Sequence, residues 1–199
     1  MNVALFGGTF DPIHRGHIEV ARAAADTYQL DRVLFVPAGR PPHKPRPTDA
    51  GFEHRYRMVE IACRADRRFV PSRLEEPHND SDRHYSIDTI EQVLGELGPA
   101  DRLFFVIGAD AFAEINLWRR WKDVTSKVEF IVVSRPGVNQ ESLKAPAGAR
   151  VKWLTDVNVP VSSTEIRAAI RSDVGLPDAL PAEVGAYIRE NGLYGAAGG

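Results

Sequence analysis

Gly7-Gly8-Thr9-Phe10-Asp11-Pro12-Ile13-His14-Arg15-Gly16-His17 follows directly on the apolar run Val3-Ala4-Leu5-Phe6, and it leads directly into the amphipathic run Ile18 to Tyr28. The first run reads as a buried strand and the second as a helix. A strand that enters a helix through glycines brings backbone N–H groups up to phosphate oxygens. Neither G-x-G-x-x-G nor G-x-x-x-x-G-K-[ST] is present, which removes the main support for a dinucleotide oxidoreductase or a P-loop enzyme. In their place stand His14 and His17, three residues apart with Gly16 between them. That spacing puts both imidazoles on one face of a helical start. Gly16 has no side chain to keep a ligand from the backbone. Imidazoles beside a helix N-terminus can donate to phosphoryl oxygens as negative charge moves between them. Two histidines alone read as a surface pair; the strand and Gly7-Gly8 ahead of them turn the reading toward phosphate.

Outward from this stretch, further apolar runs recur: Arg32–Val36, Arg68–Pro71, Leu103–Ile107, Val128–Val133 and Val151–Leu154. Helical stretches lie between them, near Glu53–Ala65, Ser86–Leu97 and Ala111–Trp121. Continuous apolar strands alternating with helices predict an α/β fold: a Rossmann-like, doubly wound, mainly parallel sheet with helices on both faces. Ligands of such sheets lie at the carboxyl ends of the strands. The second strand ends in Val36-Pro37, without the acidic residue that holds a ribose hydroxyl in dinucleotide dehydrogenases. With 199 residues and 43% hydrophobic content, the chain is expected to form one domain over 1–195, ending in a small helical subregion over about 162–195, with a flexible tail at 196–199. The last helix starts after Pro181, stops at Asn191-Gly192, and reads as packing.

A net charge of −2 gives no bulk attraction to nucleic acid or to a membrane. No apolar run approaches the length of a signal peptide or a membrane span. The single cysteine, Cys63, fits a reducing cytoplasm and reads as a small apolar helix residue. Assembly into a homo-oligomer is left open.

Several later segments bear on a ligand. Pro37 to Pro47 is a stiff loop with five prolines, and Arg40, His43, Lys44 and Arg46 give it a positive edge. By itself it reads equally as a solvated connector. His84-Tyr85-Ser86-Ile87-Asp88-Thr89 reads as a helix start with Ser86 as N-cap, and with hydroxyls on Tyr85 and Thr89. Gly108 and Asp110 sit where the fourth strand gives way to a helix; Asp110 suits a cap, a ribose hydroxyl or a water on a metal. Trp118 and Trp121 are expected one helical turn apart, one packing and one free to stack on a ring. Arg135 stands at the end of the fifth strand. Ser162 and Glu165 have capping-box spacing, and Ser163, Thr164 and Arg167 add further groups suited to an anion.

Together these segments resemble the nucleotidyltransferase superfamily with the H-x-G-H signature, in the longer G-G-T-F-D-P-I-H-x-G-H form of bacterial nicotinate-nucleotide adenylyltransferases. The resemblance implies that ATP and nicotinate mononucleotide are joined into nicotinate adenine dinucleotide with release of pyrophosphate. It assigns His14 and His17 to the reacting phosphates, and His43 and Lys44 to the mononucleotide phosphate. Tyr85, Thr89 and Trp118 would line the pyridine side. Gly7, Gly8, Thr9, Phe10, Gly16, Gly108, Asp110 and Arg135 would serve ATP. Ser162, Ser163, Thr164 and Arg167 would grip its β- and γ-phosphates. Arg55 and Met58 repeat an R-x-x-M spacing of the family, on a helix that otherwise reads as core. The sequence departs from the family's S-Y-T-x-x-T at His84 and Ser86.

The chemistry agrees with that implication. A phosphate monoester is largely dianionic at pH 7, its second pKa being about 6, so it needs no general base to attack phosphorus. Mg²⁺ is expected to ride on ATP with mostly water ligands, since no dedicated carboxylate cage is evident. Three alternatives stand beside this reading: a phosphopantetheine adenylyltransferase, a hydrolase with a metal on Asp11, His14 and His17, and a non-catalytic nucleotide sensor. The Trp118 region and the full S-S-T-x-I-R argue against the first.

Overall fold

Alternation along the first strand divides the molecule into two apolar layers, because successive side chains of a strand point to opposite faces. In the computed structural model, which describes residues 1–39, 48–79, 83–134, 145–155, 157, 160–172 and 178–196, that strand is β1 (Asn2–Gly8). Ala4 and Phe6 join one buried cluster, Val3 and Leu5 the other. The remaining strands are β2 (Arg32–Pro37), β3 (Phe69–Pro71), β4 (Arg102–Gly108), β5 (Glu129–Val133) and β6 (Arg150–Leu154). They form one six-stranded sheet in the order β3-β2-β1-β4-β5-β6. All five pairings are parallel, with Phe6 opposite Phe35 on one side and Val106 on the other. The expected doubly wound parallel sheet is therefore the fold observed, and its strand order reverses between β1 and β4. Ligands of such sheets bind at that reversal.

Helices α1 (Arg15–Thr27), α2 (Phe52–Cys63), α6 (Ser163–Arg171) and α7 (Ala182–Glu190) cover the face that carries Ala4 and Phe6. Ile18, Ala21 and Ala25 of α1 recur at helical spacing and are at most 7% exposed. Ile166, Ile170, Val184 and Ile188 place the C-terminal helices in the same cluster as β1. Cys63 is buried there too; burial pushes its thiol up to about 12, so it behaves as an apolar side chain. The opposite face is covered by α3 (Ser86–Glu96), α4 (Ala109–Ala113) and α5 (Trp121–Lys127), through Ile87, Ile90, Phe112 and Val124. Burying each such side chain is worth about 1.5–3 kcal/mol.

Two expectations about helices are corrected. The single helix over Ala111–Trp121 is broken into α4, a short 3-10 turn at Ile115–Leu117, and α5. Trp118 is extended (φ −75°, ψ 145°) and Arg120 is left-handed (φ 51°, ψ 41°), so no helix runs through them. The left-handed turn aims Arg120 at two carboxylates: Nη2 lies 3.0 Å from Glu91 and Nε 2.7 Å from Asp123. No glycine or proline marks this break in the sequence. Ser86 is the first helical residue of α3 rather than its cap; Tyr85 takes the cap position without a capping side chain. Ser162 does cap α6 as its spacing implies: its Oγ accepts from Glu165 N–H (3.2 Å), and Glu165 Oε2 accepts from Ser162 N–H (3.1 Å).

Candidate active site

Two cavities open at the carboxyl ends of the strands, one on each side of the reversal between β1 and β4. The first, about 460 Å³, is lined by Gly8, Thr9, Tyr85, Thr89, Phe105 and Trp118, among others. The second, about 330 Å³, is lined by His14, Gly16, His17, Asp110, Ser134 and Val161, among others. Phe6, Gly7 and Gly108 line both, so the two cavities meet along the last residues of β1 and β4. Open space surrounds the position a Cβ would take on Gly108, and a side chain there would enter that space.

His14 precedes the first turn of α1 in an extended conformation, and its ring stacks on His17 with centroids 3.7 Å apart. The expected pairing of the two imidazoles on one face is thus the arrangement present. His14 N–H donates to His17 Nδ1 (3.2 Å). An accepting Nδ1 carries no proton, so neutral His17 holds its proton on Nε2 and has that N–H to donate. Burial pushes His14 down to about 4. Burial, and then the neighbouring His14, hold His17 well below the usual histidine range. Burial thus favours the neutral form of both imidazoles, which suits them to donate hydrogen bonds rather than to serve as fixed cations.

Phe10, expected on the ATP side, turns its ring into the core. Its side chain is 1% exposed and packs edge-on beneath His17, with ring centroids 5.0 Å apart. Gly8 makes room for it, since a Cβ on Gly8 would lie 2.9 Å from the Phe10 ring. Phe10 therefore supports the imidazole from below.

Asp11 was a candidate metal ligand in the hydrolase alternative, and its carboxylate is already filled. Oδ2 accepts from Asp49 N–H (2.8 Å), and Oδ1 accepts from Ala50 N–H (3.1 Å) and from the Tyr194 hydroxyl (2.8 Å). Arg55, 1% exposed, donates from Nη1 to Thr9 O (2.8 Å) and from Nε to Ala50 O (3.1 Å). These contacts clamp both ends of the Thr9–Asp11 turn. Arg167 reaches the same turn, donating from Nη1 to Asp11 O (2.7 Å), with its Nε 2.8 Å from Asp49 Oδ2. Ser163 Oγ donates to Pro12 O (2.9 Å). The segments before α1 and before α6 are thus brought into contact, although Ser163 and Pro12 stand far apart in the chain.

On the first cavity, Thr89 is 6% exposed and donates to Glu75 Oε1 (3.0 Å). Trp118 is half-buried, edge-on to Phe105 at 5.8 Å between centroids. The Arg119 guanidinium lies 4.5 Å from the centre of the Tyr85 ring. Trp121 is half-buried on α5 and does not line either cavity. Thr164 is exposed at the start of α6. His43, Lys44 and Arg135 lie outside the described residues, as do Arg40 and Arg46.

Sequence reasoning missed Asp11 as an anchor, and also Glu75 and Tyr194. It noted Arg55 without seeing its task. The signal for Arg55 was a charged residue at helical spacing with Met58, Val59 and Ala62, all of them core. Glu75 and Tyr194 carry no such local mark.

A family model described as cytidylyltransferase-like matches residues 5–169. The chain belongs to the cytidylyltransferase-like family. Among curated relatives, a probable nicotinate-nucleotide adenylyltransferase of Solibacter usitatus is 53% identical over 194 residues, covering 98% of this chain and all of its own. A relative of the same description from Thermus thermophilus is 40% identical over 197 residues, with 98% and 100% covered. Among solved structures, Plasmodium falciparum nicotinic acid mononucleotide adenylyltransferase complexed with NaAD superposes with a TM-score of 0.76 at 21% identity, covering 97% of each chain. That last likeness is one of fold. This member of the family is accordingly a nucleotidyltransferase. Among its described residues no helix is long and apolar enough to cross a membrane.

Proposed function

We propose that this chain transfers AMP from ATP to nicotinate mononucleotide, releasing pyrophosphate and forming nicotinate adenine dinucleotide. One observation carries the reading: two cavities meet at Gly7 and Gly108, with paired imidazoles opening onto one of them. A dinucleotide has that shape, two nucleosides joined by phosphates. The names of the curated relatives point the same way.

The mononucleotide occupies the cavity with Trp118, Tyr85 and Thr89, and ATP the one with Asp110, Gly16 and His17. The acceptor phosphate attacks the α-phosphorus in line, and pyrophosphate departs. The protein's part is alignment and charge stabilisation. His17 Nε2–H and the neighbouring His14 donate to oxygens on the α-phosphoryl group as charge builds there. The start of α6, with Ser162, Ser163, Thr164 and Arg167, faces the departing phosphates. His43 and Lys44 serve the acceptor phosphate, and Arg135 the ATP side. Mg²⁺ enters with ATP and keeps mostly water ligands. Asp110 is suited to orient one of the ion's waters. The unit that acts is one nucleotidyltransferase domain over 1–195, working in the cytoplasm without nucleic acid.

Incubating the protein with ATP and either nicotinate or nicotinamide mononucleotide tests the reading. Pyrophosphate and dinucleotide should appear in equal amounts. Hydrolysis of ATP without an acceptor, or binding without turnover, would overturn it.

Two substitutions probe the two ends of the site. Trp118→Ala is expected to weaken mononucleotide binding by about 1–3 kcal/mol, the worth of one base–aromatic stack, with ATP binding little changed. Separate titrations check this; equal losses for both ligands would make Trp118 a packing residue. Arg167→Ala is expected to raise the ATP requirement about 10- to 150-fold, the weight of a charge-assisted bond, while AMP binding stays nearly constant. The variant should also unfold more easily, because Asp11 O loses a donor and Asp49 keeps only Arg171 as an ion-pair partner among the described residues. Equal weakening of AMP and ATP would limit Arg167 to holding the Asp11 turn.

A further inference from the structure

The first cavity contains a carboxylate for which phosphate chemistry has no use. Glu75 lies just beyond β3, and its Oε1 accepts from Thr89 Oγ1 at 3.0 Å. A backbone hydrogen bond from Gly39 reaches the same carboxylate. The Gly39 main chain also packs so tightly on Glu75 that a Cβ on Gly39 would lie 2.0 Å from the Glu75 carbonyl oxygen. Glycine is therefore the residue that fits at this position. The Glu75 side chain is held from two elements, α3 and the segment after β2. Burial raises its carboxyl above the usual range, against the Thr89 and Gly39 hydrogen bonds and the charge of Arg55. The Arg55 guanidinium itself bonds the carbonyls of Thr9 and Ala50.

A half-buried negative charge beside a site for a dianionic phosphate is unfavourable unless something positive meets it. The acceptor supplies such a group. An N-ribosylated pyridine ring carries a permanent positive charge centred on its ring nitrogen. Trp118 lines the same cavity, and the face of an indole ring also attracts cations. The Arg119 guanidinium gives the cavity a positive wall as well, which the ring's own carboxylate can face.

We propose that Glu75 is the counter-ion of the substrate's pyridinium ring, so that the cavity selects the oxidised, cationic mononucleotide over its uncharged dihydropyridine form. This rests on the adenylyltransferase reading above. Glu75→Gln removes the charge while keeping the volume and an oxygen that can accept from Thr89. The full chain is titrated calorimetrically with nicotinate mononucleotide, with its chemically reduced 1,4-dihydro form, and with ATP.

The wild-type chain is expected to prefer the oxidised ligand by about tenfold or more, and Glu75→Gln to bring that ratio close to one by weakening the oxidised ligand alone. ATP binding should be unchanged, which also reports that the variant is folded. Equal loss of both mononucleotides would make Glu75 a brace for Thr89 and Gly39 and overturn the proposal, as would no loss of either. Should the glutamine variant lose ATP binding, Glu75→Asp decides. It keeps the charge, so a retained preference supports the proposal and an abolished one refutes it. Failure of the adenylyltransferase reading shows separately, as absence of dinucleotide from the wild-type chain.

Discussion

Replacing His17 with alanine is expected to leave the chain folded and to lower turnover by two to three orders of magnitude, about 3–4 kcal/mol of transition-state stabilisation. His17 Nδ1 is taken up by His14 N–H, so the tautomer that leaves Nε2–H free is set before any ligand arrives. Its ring is wedged between His14 (3.7 Å between centroids) and Phe10 (5.0 Å), which fixes the direction of that donor. A donor already oriented and already neutral costs no reorganisation when charge develops on the phosphoryl oxygens. Its contribution should therefore fall on turnover more than on the Michaelis constant for either substrate. Steady-state kinetics, with circular dichroism to confirm the fold, make the measurement. Near-normal turnover in a folded variant would remove His17 from the chemistry.

Arg55→Met is expected to cost about 3–5 kcal/mol of stability, the range for breaking a buried charged network on one side only. Arg55 is 1% exposed, and its loss removes the donors it gives to the carbonyls of Thr9 and Ala50. It also removes one of the positive charges near the buried Asp11 carboxylate, leaving Arg167. The turn that carries His14 hangs from these same atoms, so turnover of the remaining folded fraction should fall as well. Arg55→Lys keeps the charge but not the two-pronged donor, and should rescue only part of either loss. Urea denaturation run beside activity assays distinguishes the outcomes. An unchanged midpoint in the methionine variant would mean that the turn holds itself.

The two predictions concern residues of different legibility. His14 and His17 could be found because their relation is local: two imidazoles three residues apart at a helix start already share a face. Ser162 and Glu165 were legible for the same reason, since a capping box closes within one turn. The α3 start was misassigned between Tyr85 and Ser86, because several neighbouring residues can occupy a cap position. The break at Trp118–Arg120 carries no glycine or proline. At that break Arg120 pairs with Glu91 of another helix, a contact that nothing local in the sequence announces.

The sequence by itself determined the class of fold and the kind of chemistry. Apolar runs of strand length alternating with helical ones allow little but a parallel sheet with covered faces. A strand running through Gly7-Gly8 into paired histidines marks the place proposed here for the phosphates. Tertiary structure alone decided what holds that mark in place. Tyr194 meets Asp11 across 183 positions of sequence, Arg167 meets it across 156, and Glu75 meets Thr89 from a different element. Such contacts leave no periodicity or spacing to read. Each depends on where the sheet and its crossovers carry distant backbone, and on the need of a buried charge for a partner that only the folded chain can bring.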